Sequence, residues 1–208
     1  MKALLLKDFY MAKIYCRSLA IIALVFMAVS VVSKDNMFFI MYPCLVASMV
    51  PITLLSYDER SHWLQYSGAL PYRKSQIVSS KYLLGAITVC AVLLLTLIVQ
   101  GVTMAVRGTF DIKELVIMIL VLIFSSCLMP SVSLLASFKW GVEKGRIAYY
   151  VIFGITFIGI FLIVSGFGPI SGEQIQLNWA PVVLAAAGIA MYALSWKLAI
   201  AVFDKREV

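Results

Sequence analysis

Six apolar stretches, each long enough to cross a membrane as a helix, constrain this chain more than any other feature. A helix needs about 20 apolar residues to span the hydrocarbon core of a bilayer. The stretches are residues 14–32, 37–56, 82–106, 115–138, 147–164 and 179–203. Backbone polar groups in lipid must be satisfied within one segment, and the alternating pattern of a membrane barrel is absent. The sequence therefore predicts an all-α polytopic membrane protein with six transmembrane helices in a single domain.

Composition excludes a soluble fold. Of the 208 residues, 63% are hydrophobic and 13% are charged, whereas soluble domains average roughly 45–50% and about 25%. A soluble chain of this length needs a polar shell, and these residues are too few to form one. The lipid bilayer is therefore the expected solvent for much of the surface.

The distribution of basic residues predicts the orientation. Fourteen of the 17 Lys and Arg residues lie before or at the start of the first stretch, between the second and third or the fourth and fifth, or at the C-terminal end. The other three lie in the alternate loops. Because Lys and Arg concentrate in cytoplasmic loops, both termini are expected in the cytoplasm. The net charge of +7 follows from this bias. No nucleic-acid partner is inferred, since these residues lack an interleaved aromatic stacking platform.

Residues 1–17 have the pattern of an amphipathic helix. On a helical wheel Lys2, Lys13 and Arg17 share an arc of about 60°. The apolar side chains largely opposite them are Leu4, Leu5, Met11, Ala12, Tyr15 and Cys16. This segment is expected to form a short helix in the cytoplasmic interface. The alternative is an ordinary basic segment leading into the first span.

The segment 57–81 is the one predicted cytoplasmic loop with room for structure. Asp58 and Glu59 suit a helix N-terminus because its dipole favours negative charge. Three side chains then recur at helical spacing: Trp63, Tyr66 and Leu70. Pro71 ends this pattern, and Ser75 is expected to cap a new helix that continues into the third span.

A short cytoplasmic helix with aromatic and charged side chains is typical of a surface that docks a soluble partner. The chain contains no phosphate-binding loop of the Walker type, so a partner would have to supply the energy. The candidate docking residues are Asp58, Glu59, Arg60, His62, Trp63, Tyr66, Leu70 and Pro71. The alternative is an interfacial aromatic belt in which Arg73 and Lys74 act only as topology charges.

The same loop carries a recognisable motif. Its residues are Glu59, Trp63, Tyr66, Leu70-Pro71, Arg73-Lys74 and Ser80-Lys81-Tyr82. Together with the six-span layout, this motif resembles the ABC-2 permease family of bacterial ABC exporters. Small permeases of this size are similar to the transmembrane subunits that export amphipathic peptides, including phenol-soluble modulins.

The resemblance implies a partner and an assembly. A coupling helix around residues 59–70 would enter a groove of a separate ABC ATPase subunit, which would bind ATP and Mg. Two permease copies, identical or paralogous, would combine with two ATPases in the bacterial cell membrane. The transporter would move a hydrophobic or amphipathic cargo, most simply a peptide, out of the cell by alternating access.

The resemblance also implies where cargo would bind. In the family, spans two and five face the central cavity. The side chains expected to line it are Met49, Thr53, Phe153 and Phe157. An apolar lining suits an apolar or amphipathic cargo. The alternative is that these side chains face lipid.

No catalytic, metal or cofactor site is predicted. His62 is the only histidine, and the four cysteines are spread singly over the first four spans, so metal-ligand spacing is absent. Gln100, the main strongly polar residue within a span, is expected either to hydrogen-bond a neighbouring helix or to line an exit pathway. Two other classes stay open: a substrate-binding subunit of an energy-coupling-factor importer and, less favoured for lack of acid and base groups, an intramembrane enzyme.

Overall fold

The computed structural model describes residues 2–32, 37–67, 73–108, 111–166 and 179–205, in which every regular element is a helix. The helices are α1 (Lys2–Tyr15), α2 (Arg17–Val32), α3 (Met37–Ser48), α4 (Val50–Arg60), α5 (Trp63–Ser67), α6 (Lys74–Arg107), α7 (Ile112–Trp140), α8 (Val142–Gly166) and α9 (Ala180–Asp204). The described residues therefore confirm the all-α prediction.

Four helical segments are long and apolar enough to cross a membrane. They are Phe39–Arg60, Lys74–Arg107, Leu115–Trp140 and Pro181–Asp204. The pair α1 and α2, bent by 66°, adds a fifth if the two are counted as one span. The predicted fifth span lies within the 25-residue helix α8, where most side chains of the second half lie outside the described residues. Four to five of the six predicted spans are therefore supported by length and composition.

The bend between α1 and α2 lies at Cys16. The predicted first span began at residue 14, but α1 continues to Tyr15 and the second helix begins only at Arg17. Hydrogen bonds from Cys16 N to Ala12 O at 2.9 Å and from Ala20 N to Cys16 O at 3.0 Å carry the backbone pairing across the bend. These two bonds satisfy backbone groups on both sides of Cys16, so α1 and α2 stay linked by hydrogen bonds although the chain bends between them.

The second predicted span is longer than expected and is interrupted. α3 ends at Ser48, Met49 forms a turn, and α4 runs on to Arg60. Pro51 lies in the first turn of α4, where its missing N–H costs no helical hydrogen bond. The prediction that Asp58 begins a helix is wrong, because Asp58 lies in the last turn of α4. A carboxylate is unfavourable there, and nearby cations compensate for it.

α6 begins two residues earlier than a cap at Ser75 implies. Arg73 has the extended backbone of an N-cap residue, with φ −75° and ψ 143°, and its N–H donates to Gln76 Oε1 at 3.4 Å. Ser75 is therefore the second residue of the helix, and its predicted capping role is wrong. The same helix continues without a break to Arg107, which confirms that it runs into the third span.

A turn of one residue joins α7 to α8. Gly141 adopts φ +95°, which favours glycine. Gly145 lies in the first turn of α8, close to α7. A Cβ at this position would lie 1.9 Å from Ser137 Oγ, so only glycine lets the two helices approach this closely. The loop predicted over residues 139–146 is consequently almost entirely helical.

Three apolar clusters hold the bundle together. One joins α4, α6, α7, α9 and the start of α8, and its aromatic members are Tyr82, Phe138 and Phe203. A second joins α3, α7 and α8 around Leu122 and Tyr149. The third packs Cys16 against α4 and α6, with Leu54 fully buried. The apolar face predicted for residues 1–17 thus contacts the bundle through this third cluster.

Candidate coupling site

Four segments that the sequence placed on one side of the membrane meet at one end of the bundle. These are α1, the C-terminal turn of α4 with α5, the start of α6, and the turn between α7 and α8. We call this the basic end. Whether it faces the cytoplasm stays a prediction, but the grouping of the segments agrees with the distribution of Lys and Arg.

Two lysines and two aspartates form a compact cluster at the basic end. Lys81 Nζ lies 2.6 Å from Asp8 Oδ1 and 2.5 Å from Asp58 Oδ2. Lys7 Nζ lies 2.8 Å from Asp58 Oδ1 and 3.6 Å from Asp8 Oδ1. We call Lys7, Asp8, Asp58 and Lys81 the four-charge cluster. It joins α1, α4 and α6, which are far apart in sequence.

Burial makes this cluster sensitive to change. Asp8, Asp58 and Lys81 are each 1% exposed. Removing charges from water is costly, and the cost is offset only when each charge has a close partner of opposite sign. The two positive and two negative charges give a formal net charge of zero. Loss of any one member therefore leaves an uncompensated charge in the interior.

Sequence reasoning misses this cluster because Lys7 and Lys81 fall among the basic residues that predict the orientation. Asp58 suits a helix N-terminus by its charge, and Asp8 belongs to no motif. The available signal was the position of Asp8 between Leu4 and Ala12 on the apolar face of α1. An acidic residue within an apolar stripe indicates a buried partner.

The cluster extends to α5 through Trp63. Lys7 Nζ lies 4.1 Å from the centroid of the Trp63 ring, which is cation–π geometry. The Trp63 and Tyr66 rings are 5.9 Å apart. Before α5, His62 has a positive φ of 54°, which breaks the path of α4 and starts the new helix. α5 is thereby attached to α1 through a side chain that also belongs to the four-charge cluster.

Glu59 connects α4 to the α7–α8 turn. Its Oε2 accepts a hydrogen bond from Val142 N at 3.2 Å, at the N-terminus of α8. Nearby, Arg146 donates to Ser56 Oγ at 2.7 Å. A carboxylate at a helix N-terminus is favoured by the helix dipole. Glu59 therefore lies near the positive end of α8, which compensates for its unfavourable place at the C-terminal end of α4.

The Ser-Lys-Tyr part of the motif fixes α6 between its neighbours. While Lys81 points into the four-charge cluster, the Tyr82 hydroxyl lies 2.7 Å from Ser195 Oγ on α9. Tyr192 donates to Tyr82 O at 2.7 Å, and the Trp196 ring stacks on Tyr82 at 5.7 Å. The start of α6 is therefore tied to α9 on one side and to α1 and α4 on the other.

The predicted docking residues divide by exposure. Glu59, Arg60, His62 and Tyr66 are exposed, and Trp63 is half-buried. Asp58 is buried, and its carboxylate pairs with Lys7 and Lys81 within the chain. Leu70 and Pro71 lie outside the described residues. The structure thus brings the exposed members together along the end of α4 and α5.

The residues predicted to line a cargo cavity lie deeper in the bundle. Met49 is partly buried and packs against two of the apolar clusters. Thr53 donates its hydroxyl to Met49 O at 2.9 Å, and Phe153 packs against the second cluster. The side chain of Phe157 lies outside the described residues. The position of a cavity stays a prediction.

Gln100 forms the hydrogen bond between helices that one of its two interpretations predicted. Its Nε2 donates to Ser30 Oγ on α2 at 3.1 Å, and Gln100 is 4% exposed. Among the described residues, no group of three or more His, Cys, Asp and Glu side chains is placed to hold a metal ion. The cysteines in these ranges are free thiols.

The fold defines the class of protein as a multi-pass α-helical membrane protein. A family model described as "ABC-2 family transporter protein" matches residues 3–204. The chain therefore belongs to the ABC-2 transporter family, as a membrane component of an ABC transporter. Components of this kind are typically non-catalytic and generally pair with an ABC ATPase. No curated protein and no solved structure matches the chain.

Proposed function

We propose that this chain is the permease subunit of an ATP-driven exporter, coupled to its ATPase through the end of α4 and α5. It crosses the bacterial cell membrane six times with both termini in the cytoplasm. Two permeases and two ATPases form the transporter, and ATP and Mg bind to the ATPase. The cargo is hydrophobic or amphipathic, most simply a peptide, and moves by alternating access.

The observation that carries this proposal is the contact of α5 with Lys7, a member of the four-charge cluster that joins α1, α4 and α6. Tyr66 is 63% exposed and available to a partner. Trp63, three residues earlier, contacts Lys7 and through it the four-charge cluster. A displacement of α5 would therefore act on α1 and α6, and Glu59 would pass it to α8. This is the connection that a coupling element needs.

The test is to express the chain with a candidate ABC ATPase subunit from the same organism and to measure copurification and ATPase activity in proteoliposomes. Tyr66→Ala removes an exposed aromatic side chain from the proposed docking surface. Its matched control is Tyr10→Ala, since Tyr10 is 58% exposed on α1. An aromatic interface anchor contributes more than 1 kcal/mol, so Tyr66→Ala should lower the affinity for the ATPase about tenfold.

Glu59→Lys and Trp63→Ala are two further variants of the proposed docking surface, but both also disturb contacts within the chain. They are therefore interpreted only where the folded yield matches that of the parent. Normal copurification, ATP hydrolysis and transport by Tyr66→Ala and Trp63→Ala would rule out docking through α5. Loss of copurification in Tyr10→Ala as well would show that the effect is not local.

The cargo class needs its own measurement. Amphipathic helical peptides should stimulate ATP hydrolysis by the reconstituted transporter, and scrambled peptides of equal composition should not. The second candidate function, an importer's substrate-binding subunit, predicts instead that the isolated chain binds a vitamin tightly. The family match favours the ABC-2 permease over that alternative.

A further inference from the structure

The outer face of α1 and the neighbouring face of α6 form an apolar groove of about 610 Å³. On the α1 side, the lining residues recur at helical spacing from Lys2 through Phe9 to Lys13. On the α6 side, they run from Leu84 through Ile87 to Ala91. The two helices are in contact near Leu84, in the third apolar cluster, and at the ion pair of Asp8 with Lys81. The groove lies beside these contacts.

The wall of this groove is apolar and open. Phe9 is 61% exposed, Leu6 is 57% exposed and Ile87 is 54% exposed. The one hydroxyl in the wall, that of Thr88, donates within its own helix to Leu84 O at 3.1 Å and Gly85 O at 3.0 Å. Leu84 lies close to the start of the predicted third span, so the groove reaches into the depth of the nearer leaflet. An acyl chain fits such a surface.

The two charged residues of the groove are both cations. Lys2 and Lys13 are exposed, and neither forms an ion pair with a carboxylate in the described residues. Their Cα atoms are about 16 Å apart along α1. Four-carbon side chains let both ammonium groups lean over the mouth of the groove. Lys7, on the inward face of the same helix, uses its charge in the four-charge cluster instead.

We propose that the groove binds an anionic phospholipid of the adjacent leaflet. The acyl chain lies against Phe9 and Ile87, and the headgroup is held by Lys2 and Lys13. A second copy of the chain fits less well, because a symmetric contact through this groove would bring the lysines of the two copies together. The bound lipid fills the groove and adds a contact between α1 and α6 to that made by the four-charge cluster.

Tryptophan quenching by brominated lipids tests the proposal on the full-length protein. Phe9→Trp places a reporter in the groove, and Ile14→Trp places one on the same helix outside it, at a residue that is 64% exposed. The proteins are reconstituted in phosphatidylcholine vesicles containing either brominated phosphatidylglycerol or brominated phosphatidylcholine. The parent protein supplies the signal of the native tryptophans, which is subtracted.

In Phe9→Trp, quenching should show that phosphatidylglycerol binds more tightly than phosphatidylcholine. Each lysine should contribute about fivefold to this preference, because one basic residue at an anionic surface contributes about 1 kcal/mol. In Ile14→Trp, the two brominated lipids should quench the reporter equally. Adding Lys2→Gln and Lys13→Gln should abolish the preference in Phe9→Trp. Lys144→Gln with Lys197→Gln removes the same charge from exposed residues elsewhere and should leave the preference intact.

Three results would overturn the proposal. Equal ratios in Phe9→Trp and Ile14→Trp would mean that only bulk lipid is present. If neither brominated lipid quenches the tryptophan of Phe9→Trp, a second copy or a peptide fills the groove. A preference that survives Lys2→Gln and Lys13→Gln would mean that these lysines do not recognise the headgroup. Native mass spectrometry of the parent protein, which should retain phosphatidylglycerol over phosphatidylcholine, guards against a misfolded reporter variant.

Discussion

α6 buries a polar side chain near each of its ends, and the two are accommodated differently. Near the basic end, Lys81 is 1% exposed and has two carboxylate partners. About 28 Å further along the helix, Gln100 is 4% exposed and donates a single hydrogen bond to Ser30. The first site contains four charges and the second contains none.

The difference separates a cooperative site from an independent one. At the basic end each charge has its partner on a different helix, so a change in α1, α4 or α6 affects the other two. Near Gln100, the serine also donates to Met27 O at 2.7 Å, which keeps its hydroxyl satisfied without the glutamine. The basic end is thus suited to transmit movement, while the Gln100 contact only adds to helix packing.

The largest expected effect is that of Lys81→Met. It leaves two buried carboxylates with only Lys7 as a partner, and breaking a buried ion pair in this way costs about 3–5 kcal/mol. The yield of monodisperse protein in detergent should collapse, as measured by fluorescence-detected size-exclusion chromatography. Lys197→Met, at an exposed position on α9, is the matched control and should behave like the parent.

A second variant sharpens this result. Lys81→Met combined with Asp8→Leu removes one positive and one negative charge and leaves Lys7 paired with Asp58 at 2.8 Å. The double variant should therefore be more stable than Lys81→Met alone, since the energies of contacting charges are not additive. If it is less stable by the full cost of Asp8→Leu, the charges do not act as one cluster.

The sequence allowed the all-α fold and most helix positions to be predicted because lipid imposes length and hydrophobicity on each span. It also identified the loop of Glu59 and Trp63, since the motif is local. The cluster does not show in the sequence because the pairs that bring α1 into it join residues far apart, such as Lys7 with Asp58 and Asp8 with Lys81. A count of basic residues along the sequence treats a lysine in the same way whether its side chain faces water or a buried carboxylate.

The predicted helix start at Asp58 was wrong for a related reason. The negative charge of Asp58 favours a helix N-terminus. Asp58 nevertheless lies in the last turn of α4, where Lys7 and Lys81 compensate its charge. Local propensity is a weak guide where tertiary partners are this close. The cargo cavity stays a prediction, since a cavity proposed to lie between two copies would depend on contacts between chains that local sequence patterns do not encode.

A smaller effect is expected at Glu59, which links α4 to α8. Glu59→Gln keeps an oxygen acceptor for Val142 N but removes the charge at the N-terminus of α8, a loss of about 0.3–1 kcal/mol. Glu59→Ala removes both and should cost about 1 kcal/mol, as loss of a cap does. Thermal unfolding of the purified protein compares the two. If both variants unfold with the parent, Glu59 does not stabilise the α7–α8 turn.

Gln100→Leu should have the smallest effect. Hydrogen bonds between transmembrane helices average about 0.6 kcal/mol, Ser30 keeps its bond to Met27 O, and leucine fills a similar volume. The free energy of unfolding, from titration with denaturing detergent, should fall by less than about 1 kcal/mol. Gln100→Ala should cost more, because it leaves a cavity between α2 and α6. A loss from Gln100→Leu as large as that from Lys81→Met would mean that both ends of α6 hold cooperative polar sites, and the distinction between them would fail.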